Sequence, residues 1–470
     1  MSKPFYITTP VYYMNGAPHI GHAYTTVAAD VLARFKKLQE EEVFFSTGAD
    51  EHGLKIQRKA KEAGKEPQEF VDENVARFQE LWRKLDIDYT KFARTTDPAH
   101  KQAVQKVLQD LHERGIIYKG FYEGRYCVGC ERFKTDDELA DGKCREHNMI
   151  PELLKEETYL MKMAAAQKEL LEKIESNALH ITPEKYKTEM LSFLRSENLQ
   201  DVSISRKHVS WGIPLPFDES HTTYVWVDAF LSYLTVLGWS GDKNTLPAEW
   251  PVDAQIIGKD ILRVHATIWP ILLMHLGVPT PKLLLAHGHI LSGGKKMSKT
   301  LGNVISADEM LEKFGVDGTR YILMSAGTFG DDLDLTMERM TEKYNADLAN
   351  GLGNLVSRVL KLASQLKAPN SKLPTKQFPK NFLDLLNDYK LDEGLKYIWN
   401  IVSEDNKYIE ETKPWELVKN DKAKFEEVIQ KLLKDIALIA HLLQPFLPET
   451  SRKIETALQA GAVEPLFQRI

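Results

Sequence analysis

Two short segments hold the residues of this chain best suited to chemistry, His19-Ile20-Gly21-His22 and Lys296-Met297-Ser298-Lys299-Thr300. His19 and His22 are three apart, so both rings share one face of a first helical turn. Each can donate to a phosphate oxygen without a permanent charge, and Gly21 offers no side chain to hold a nucleotide off the backbone. Lys296 and Lys299 follow Gly293-Gly294, a pair that permits unusual backbone angles and reads as a mobile loop. Charge growing on a departing pyrophosphate is best stabilised by donors already aimed at it. Closure of a lysine loop would supply that stabilisation mainly in the transition state. Singly, the first segment reads equally as two helix-surface histidines and the second as a solvated lysine turn. Together they describe two sides of a site for a nucleoside triphosphate.

The flanking elements must position these groups. The stretch Phe5–Thr9 reads as a strand, and Ile20, Tyr24, Val27, Val31, Phe35 and Leu38 recur at helical steps. Pro18 suits the first helical position, and the free N–H groups of the helix start point at whatever lies above the strand. Residues 1–115 alternate strand-like and helical segments, with strands at Phe5–Thr9 and Val43–Thr47 and helices near Ile20–Gln39, Pro67–Leu85 and Pro98–Arg114. Residues 116–224 form an insertion with helical stretches at Gln167–Ile174 and Thr182–Asn198. The α/β pattern resumes over 225–286, signalled by Thr222–Asp228, Ala254–Ile257 and Lys282–Ala286. Residues 287–345 hold the lysine loop and its support, including Leu301–Phe314 and Asp317–Ala326. From 346 to 470, with Glu338–Leu366, Asn381–Glu411 and Lys422–Leu443 as long amphipathic segments, a helical bundle is expected. Lys367–Lys380 reads as an inter-helix loop.

The chain's three cysteines, Cys127, Cys130 and Cys144, combine with His147 in the spacing Cys-x2-Cys-x13-Cys-x2-His. Two ligand pairs on tight turns, eased by Gly129 and Gly142, suit tetrahedral zinc. Four protein ligands leave no open position, so one structural Zn2+ per chain is expected. Unmetallated thiols are the bland alternative. An odd cysteine count argues against a disulfide framework.

These segments and their surroundings, from about Pro4 to about Leu447, resemble class I aminoacyl-tRNA synthetases, and most closely the methionyl-tRNA synthetase family. Thr300 replaces the more common serine and keeps the hydroxyl. The resemblance implies a Rossmann-like nucleotide-binding domain split by a zinc-knuckle insertion and followed by an α-helical anticodon-binding bundle. It implies methionine–tRNA ligase activity, with His19, Gly21, His22, Lys296 and Lys299 catalytic and Mg2+ accompanying ATP. Gly258 and Asp260, in Ile257-Gly258-Lys259-Asp260, look like the ribose-contacting turn. Asp50, in Thr47-Gly48-Ala49-Asp50-Glu51-His52-Gly53, resembles the ammonium-holding aspartate; without the family match it reads as a local turn residue. Val11, Tyr13, Trp226, Ala229, Tyr233, Ile261, His265 and Trp269 correspond to the methionine pocket, whose rings suit a polarizable thioether, although each aromatic alone reads equally as core. Phe230 stands where some relatives have proline. Asn354, Arg358 and Trp415 resemble the anticodon triad, able to hydrogen-bond and stack on splayed bases; Trp415 alone reads equally as a bundle wall. Many relatives bind zinc with four cysteines, so His147 is a variant that lowers the site's charge by one.

Composition is ordinary for a globular protein of more than one domain: 470 residues, 43% hydrophobic and 27% charged. A net charge of −6 disfavours indiscriminate coating of phosphate backbones. Residues 346–470 are nearly balanced, with 18 Lys or Arg against 17 Asp or Glu. No signal peptide or membrane-length apolar run is evident, so a cytoplasmic enzyme without membrane contact is expected; the resemblance implies ATP, L-methionine and tRNA(Met) as partners and no DNA. The lack of an appended domain after Ile470 suggests a monomer. Rival readings are a leucine, isoleucine, valine or cysteine enzyme of the same class, a nucleotidyltransferase that charges no tRNA, and an inactive zinc-bearing RNA binder. The short interval from His22 to Lys296 leaves little room for a large editing insertion, and the zinc ligands all fall in the insertion.

Overall fold

The apolar run beginning at Phe5 forms a central strand of a six-stranded sheet. In strand order the sheet comprises Lys91–Arg94, Val43–Asp50, Phe5–Tyr13, Ala254–Gly258, Leu283–His287 and His180–Thr182. Phe5–Tyr13 pairs in parallel with both neighbours, Ile7 lying opposite Phe45 and Ala254. Central parallel strands are covered on both faces and therefore read as continuous apolar stretches rather than alternating ones; Ile7, Phe45, Ile256 and Ile257 are all fully buried. The computed structural model describes residues 3–130, 132–134, 138–145, 147–297, 304–366, 377–460 and 464–470. It divides into two compact units, residues 1–18, 41–80 and 89–286 in the first, and 19–40, 81–88 and 287–470 in the second.

The first unit holds the sheet and the insertion. Strands Ile117–Cys127 and Glu152–Met161 pair antiparallel along most of their length and carry the cysteine segment between them. Helices Gln167–Glu175 and Glu184–Ser196 follow, and His180–Thr182 between them adds the edge strand to the main sheet. One expectation is corrected here. Thr222–Asp228 is not a strand of the parallel sheet: Asp218–Thr223 is the middle strand of a small antiparallel sheet, and a helix, Val225–Thr235, starts at once. Trp226, Ala229 and Tyr233 recur at helical spacing, and that period decides the element.

In the second unit, the helix Ile20–Leu38 begins one residue after His19, so His19 caps it and Pro18 lies outside. Proline has no side-chain acceptor for the free N–H groups of a helix start, whereas the imidazole does. Asn381–Glu411 is two helices, Lys380–Asn387 and Leu391–Thr412, broken where Tyr389 takes a φ of 61°. Ala307–Ser325 is interrupted at Gly315, with φ 67°; Leu301–Asn303 and linker residues 367–376 lie outside the described residues. Helices Asn354–Ala363, Lys422–Leu443 and Pro448–Ala460 complete the bundle, and Tyr344–Gly353 is wound as a π-helix. Among the described residues, no helix is long and apolar enough to cross a membrane.

A fully buried ion pair orders this unit. Arg320 donates through Nη2 to Asp30 Oδ2 at 2.6 Å, and its remaining N–H groups reach the carbonyls of Leu85, Pro445 and Phe446. Asp30 also accepts from Arg34 Nε at 2.7 Å and from the Asp88 N–H at 2.8 Å. Buried polar and charged groups need such partners.

Candidate functional site

The histidine segment builds its own geometry. The Gly21 N–H donates to His19 Nδ1 and the His19 N–H donates to His22 Nδ1, both at 3.1 Å. The rings stack with centroids 3.7 Å apart. Because each Nδ1 accepts, each neutral ring must carry its proton on Nε2. Desolvation, then the neighbouring His19 ring, holds His22 well below the usual imidazole range. Gly21 has a further reason beyond nucleotide approach: a Cβ there would come 3.0 Å from His19 Cε1 and press on the stacked ring.

Thr25, one turn further along this helix, lies 2.7 Å from His287 Nε2, while His287 Nδ1 contacts the Gly288 carbonyl at 2.8 Å. Tyr24 packs edge-on to the same imidazole. The sequence marks these partners of the histidine helix only faintly. The available signal was His287-Gly288-His289 directly after the apolar run Leu283–Ala286.

Ile290–Ser292 and Lys295–Lys296 form a hairpin, with Ser292 opposite Lys295. Gly293 and Gly294 have φ of 62° and 72°, so the glycine pair makes a tight two-residue turn of the kind that requires positive φ at both positions. The turn is held by the Gly294 N–H donating to Asp334 Oδ1 at 2.9 Å. Lys296 stands in the second strand of this hairpin; Lys299 lies outside the described residues.

In the first unit, strand pairing sets Tyr13 opposite Asp50 and Val11 opposite Gly48, so Val11, Tyr13 and Asp50 meet at the carboxyl end of two parallel strands. That end of an open α/β sheet is the usual place for ligand contacts. Helix Val225–Thr235 presents Trp226, Ala229 and Tyr233, and Ile261, His265 and Trp269 follow the strand Ala254–Gly258. The aromatic groups pack together: Phe230 stacks on Trp269 at 5.5 Å and meets His265 edge-on at 5.0 Å, and Trp226 lies 5.6 Å from Phe230. His265 Nδ1 donates to the Ile261 carbonyl at 2.9 Å, so its Nε2 accepts from the Tyr233 hydroxyl at 3.0 Å. Burial drives the His265 pKa down to about 4, only partly opposed by the Ile261 carbonyl and Asp260. The phenol of Tyr233 is pushed well above its usual range by burial, then by the neighbouring Tyr6, Tyr12 and Asp50. The wall is therefore uncharged across the physiological range, with Asp50 close enough to act on it. Gly258 ends its strand in an extended conformation, and Asp260 lies in the single 3-10 turn that follows.

The four zinc-type ligands converge. The ligand atoms of Cys127, Cys130, Cys144 and His147 all lie within 4.8 Å of one another. Cys130 Sγ is 3.6 Å from Cys144 Sγ and 3.2 Å from His147 Nδ1. Tetrahedral zinc with bonds of about 2.3 Å to sulfur sets thiolates roughly 3.7 Å apart, whereas a disulfide needs about 2.05 Å. The donor set fits a metal ion. Gly129 is required at this turn because a Cβ would sit 2.5 Å from the His147 ring.

In the bundle, Arg358 lies over the Trp415 ring at 5.8 Å and donates to Glu410 at 2.8 Å. Trp415 is 40% exposed, which is large for an indole and argues against a simple bundle wall. Asn354 opens the same helix as Arg358 and is exposed.

Comparison with known proteins gives the family. A family model described as tRNA synthetases class I (M) matches residues 5–148 and 135–360, and one for the anticodon binding domain of methionyl tRNA ligase matches 377–465. The methionine–tRNA ligase of Clostridium acetobutylicum is 43% identical over 97% of this chain and 73% of its own length. That of Caldanaerobacter subterraneus subsp. tengcongensis is 41% identical over 99% and 75%. A structure of Mycobacterium tuberculosis methionyl-tRNA synthetase in complex with methionyl-adenylate superposes with a TM-score of 0.89 at 35% identity, covering 96% of this chain and 93% of that one. The free form of the same enzyme gives 0.82 at 31% identity, covering 100% and 99%. With both of its halves matched and relatives of this identity along nearly its whole length, the chain belongs to the class I tRNA synthetases, in the methionyl-tRNA synthetase family.

Proposed function

We propose that the chain is an ATP-dependent methionine–tRNA ligase whose residues divide the work as follows. Asp50 holds the substrate ammonium. Val11, Tyr13, Trp226, Ala229, Tyr233, Ile261, His265 and Trp269 receive the side chain. The methionine carboxylate attacks the ATP α-phosphorus and pyrophosphate leaves; the terminal ribose hydroxyl of tRNA(Met) then attacks the adenylate carbonyl, forming the methionyl ester and releasing AMP. His19 and His22 donate to phosphate oxygens, Lys296 and Lys299 stabilise the charge on pyrophosphate, and Gly258 and Asp260 take the ribose. Mg2+ accompanies ATP and neutralises part of its charge. Placement and charge stabilisation supply the rate, so no general base is needed.

The observation that carries this reading is the uncharged aromatic wall around Tyr233 and His265 with the Asp50 carboxylate acting on it. An ammonium needs the carboxylate, while a thioether has no charge to satisfy and gains from sulfur–aromatic contacts. ATP–pyrophosphate exchange across a panel of amino acids tests it. Methionine should drive exchange far above leucine, isoleucine, valine and cysteine; equal stimulation by these would reject the assignment.

We place the work in five regions: 1–115 and 225–286 as the split nucleotide-binding domain, 116–224 as the zinc insertion, 287–345 as the lysine-loop region and 346–470 as the anticodon bundle, in a cytoplasmic enzyme. Asn354, Arg358 and Trp415 read the anticodon. Trp415→Ala should raise the KM for tRNA about 10- to 100-fold, the worth of one base stack, and leave methionine-dependent exchange unchanged. The metal at Cys127, Cys130, Cys144 and His147 is zinc in a structural role. Mercurial titration of the purified chain should release about one zinc equivalent, and the Cys144→Ala chain should release little. Exchange should survive that substitution, since the ligands leave no position for substrate.

A further inference from the structure

Two residues beyond Asp50, His52 turns into the interior of the first unit and meets a carboxylate that the reading above does not use. Its Nδ1 lies 2.7 Å from Asp228 Oδ2. The other oxygen of Asp228 is 2.7 Å from Nε2 of His100, whose Nδ1 is 2.7 Å from the Thr235 hydroxyl. The side chains of His52, Asp228 and His100 are 2%, 1% and 3% exposed. Burial pushes the Asp228 carboxyl up, but the two imidazoles outweigh it and bring it down to about 2. A solvent-free polar bridge of this kind is a poor way to gain stability, because apolar packing of equal volume often does as well. What it does supply is direction: a carboxylate with both oxygens committed admits one arrangement of its two donors.

The three residues belong to three elements. His52 follows the strand that ends at Asp50, Asp228 lies between Trp226 and Ala229 on helix Val225–Thr235, and His100 is on helix Pro98–Glu113. The segment after Asp50 is pinned on its other side, where Glu51 accepts from Arg94 Nε at 2.7 Å. The Gly53 N–H also donates to the Trp211 carbonyl at 2.9 Å. We propose that Asp228 is a positioning residue: bridging His52 and His100, it locks the Asp50 strand end to the helix bearing Trp226, Ala229 and Tyr233, and so sets the span between ammonium site and side-chain wall. The proposal rests on the methionine-site reading and adds to it the device that fixes the site's length, the dimension that separates amino acids of different reach.

Asp228→Asn tests it with little change of shape. The amide offers one acceptor where two imidazole N–H groups point, so one ring must lose its contact or turn to its other tautomer. The KM for methionine in exchange should rise at least tenfold while the KM for ATP stays within about threefold of the parent. His100→Phe, which keeps a ring but loses the donor, should do the same, and it carries the test should Asp228→Asn not accumulate as folded protein. His100→Gln, with an N–H near the position of Nε2, should stay near the parent. The proposal is overturned if the methionine KM is unchanged in both disruptive variants, or if methionine and ATP constants rise together, as a merely structural role would have it. Asp50→Asn serves as the reference. If it leaves methionine affinity intact, the pocket reading fails; if it weakens methionine while Asp228→Asn and His100→Phe do not, only the positioning role fails.

Discussion

Replacing His22 with alanine lowers the rate of methionine-dependent ATP–pyrophosphate exchange about 100- to 1,000-fold, the usual loss when one preorganised donor to a developing anion is removed. The geometry makes the ring such a donor. Its Nδ1 is committed to the His19 N–H, its proton is therefore on Nε2, and burial with the adjacent His19 ring keeps it neutral. Stacked on His19 and seated in the first turn of a helix, it needs little reorganisation as charge builds. His22→Asn separates two roles. The amide oxygen can take the place of Nδ1 and keep the helix start capped, but the side chain is too short to present the distal N–H. The rate should stay near that of His22→Ala. Recovery of the parent rate in His22→Asn would mean that the ring serves only to cap the helix.

Arg320→Met should destabilise the second unit by about 3–5 kcal/mol, the range for breaking a buried pair from one side. The substitution removes a guanidinium that no solvent reaches, leaving the Leu85, Pro445 and Phe446 carbonyls without its N–H groups. Asp30 retains Arg34 and the Asp88 N–H, which keeps the loss from being larger still. Urea denaturation followed by tryptophan fluorescence measures it. Adding Asp30→Asn should cost less than the two single changes summed, because partners in one network couple. A loss below about 1 kcal/mol for Arg320→Met would place this pair with exposed ones, which are worth little.

Much of the site was legible in the sequence because it is local. His19 and His22 are three residues apart, and the zinc ligands come as two close pairs, so one helical turn or one tight turn brings the members of each pair together. The aromatic wall was legible in part, since Trp226, Ala229 and Tyr233 share a helix face. The same spacing shows why Thr222–Asp228 alone reads as a strand: an apolar stretch of that length suits strand or helix, and the period emerges only when the residues after Asp228 are included. Capping was harder to see, because histidine is not a usual N-cap residue.

Chemical identity was thus written in short-range order: which groups are present, and which lie within a turn of one another. The alignment of the groups that meet in the interior came from partners far along the chain. His52 and Asp228 are 176 residues apart, Asp228 and His100 are 128, and Arg320 and Asp30 are 290. No local pattern encodes such pairs, since their meeting depends on how strands are ordered and helices packed around them. The same holds for the tautomer of His265, chosen by a carbonyl on its own turn and a hydroxyl from another helix. Packing made these choices because a buried polar group must find a partner wherever the fold brings one within reach.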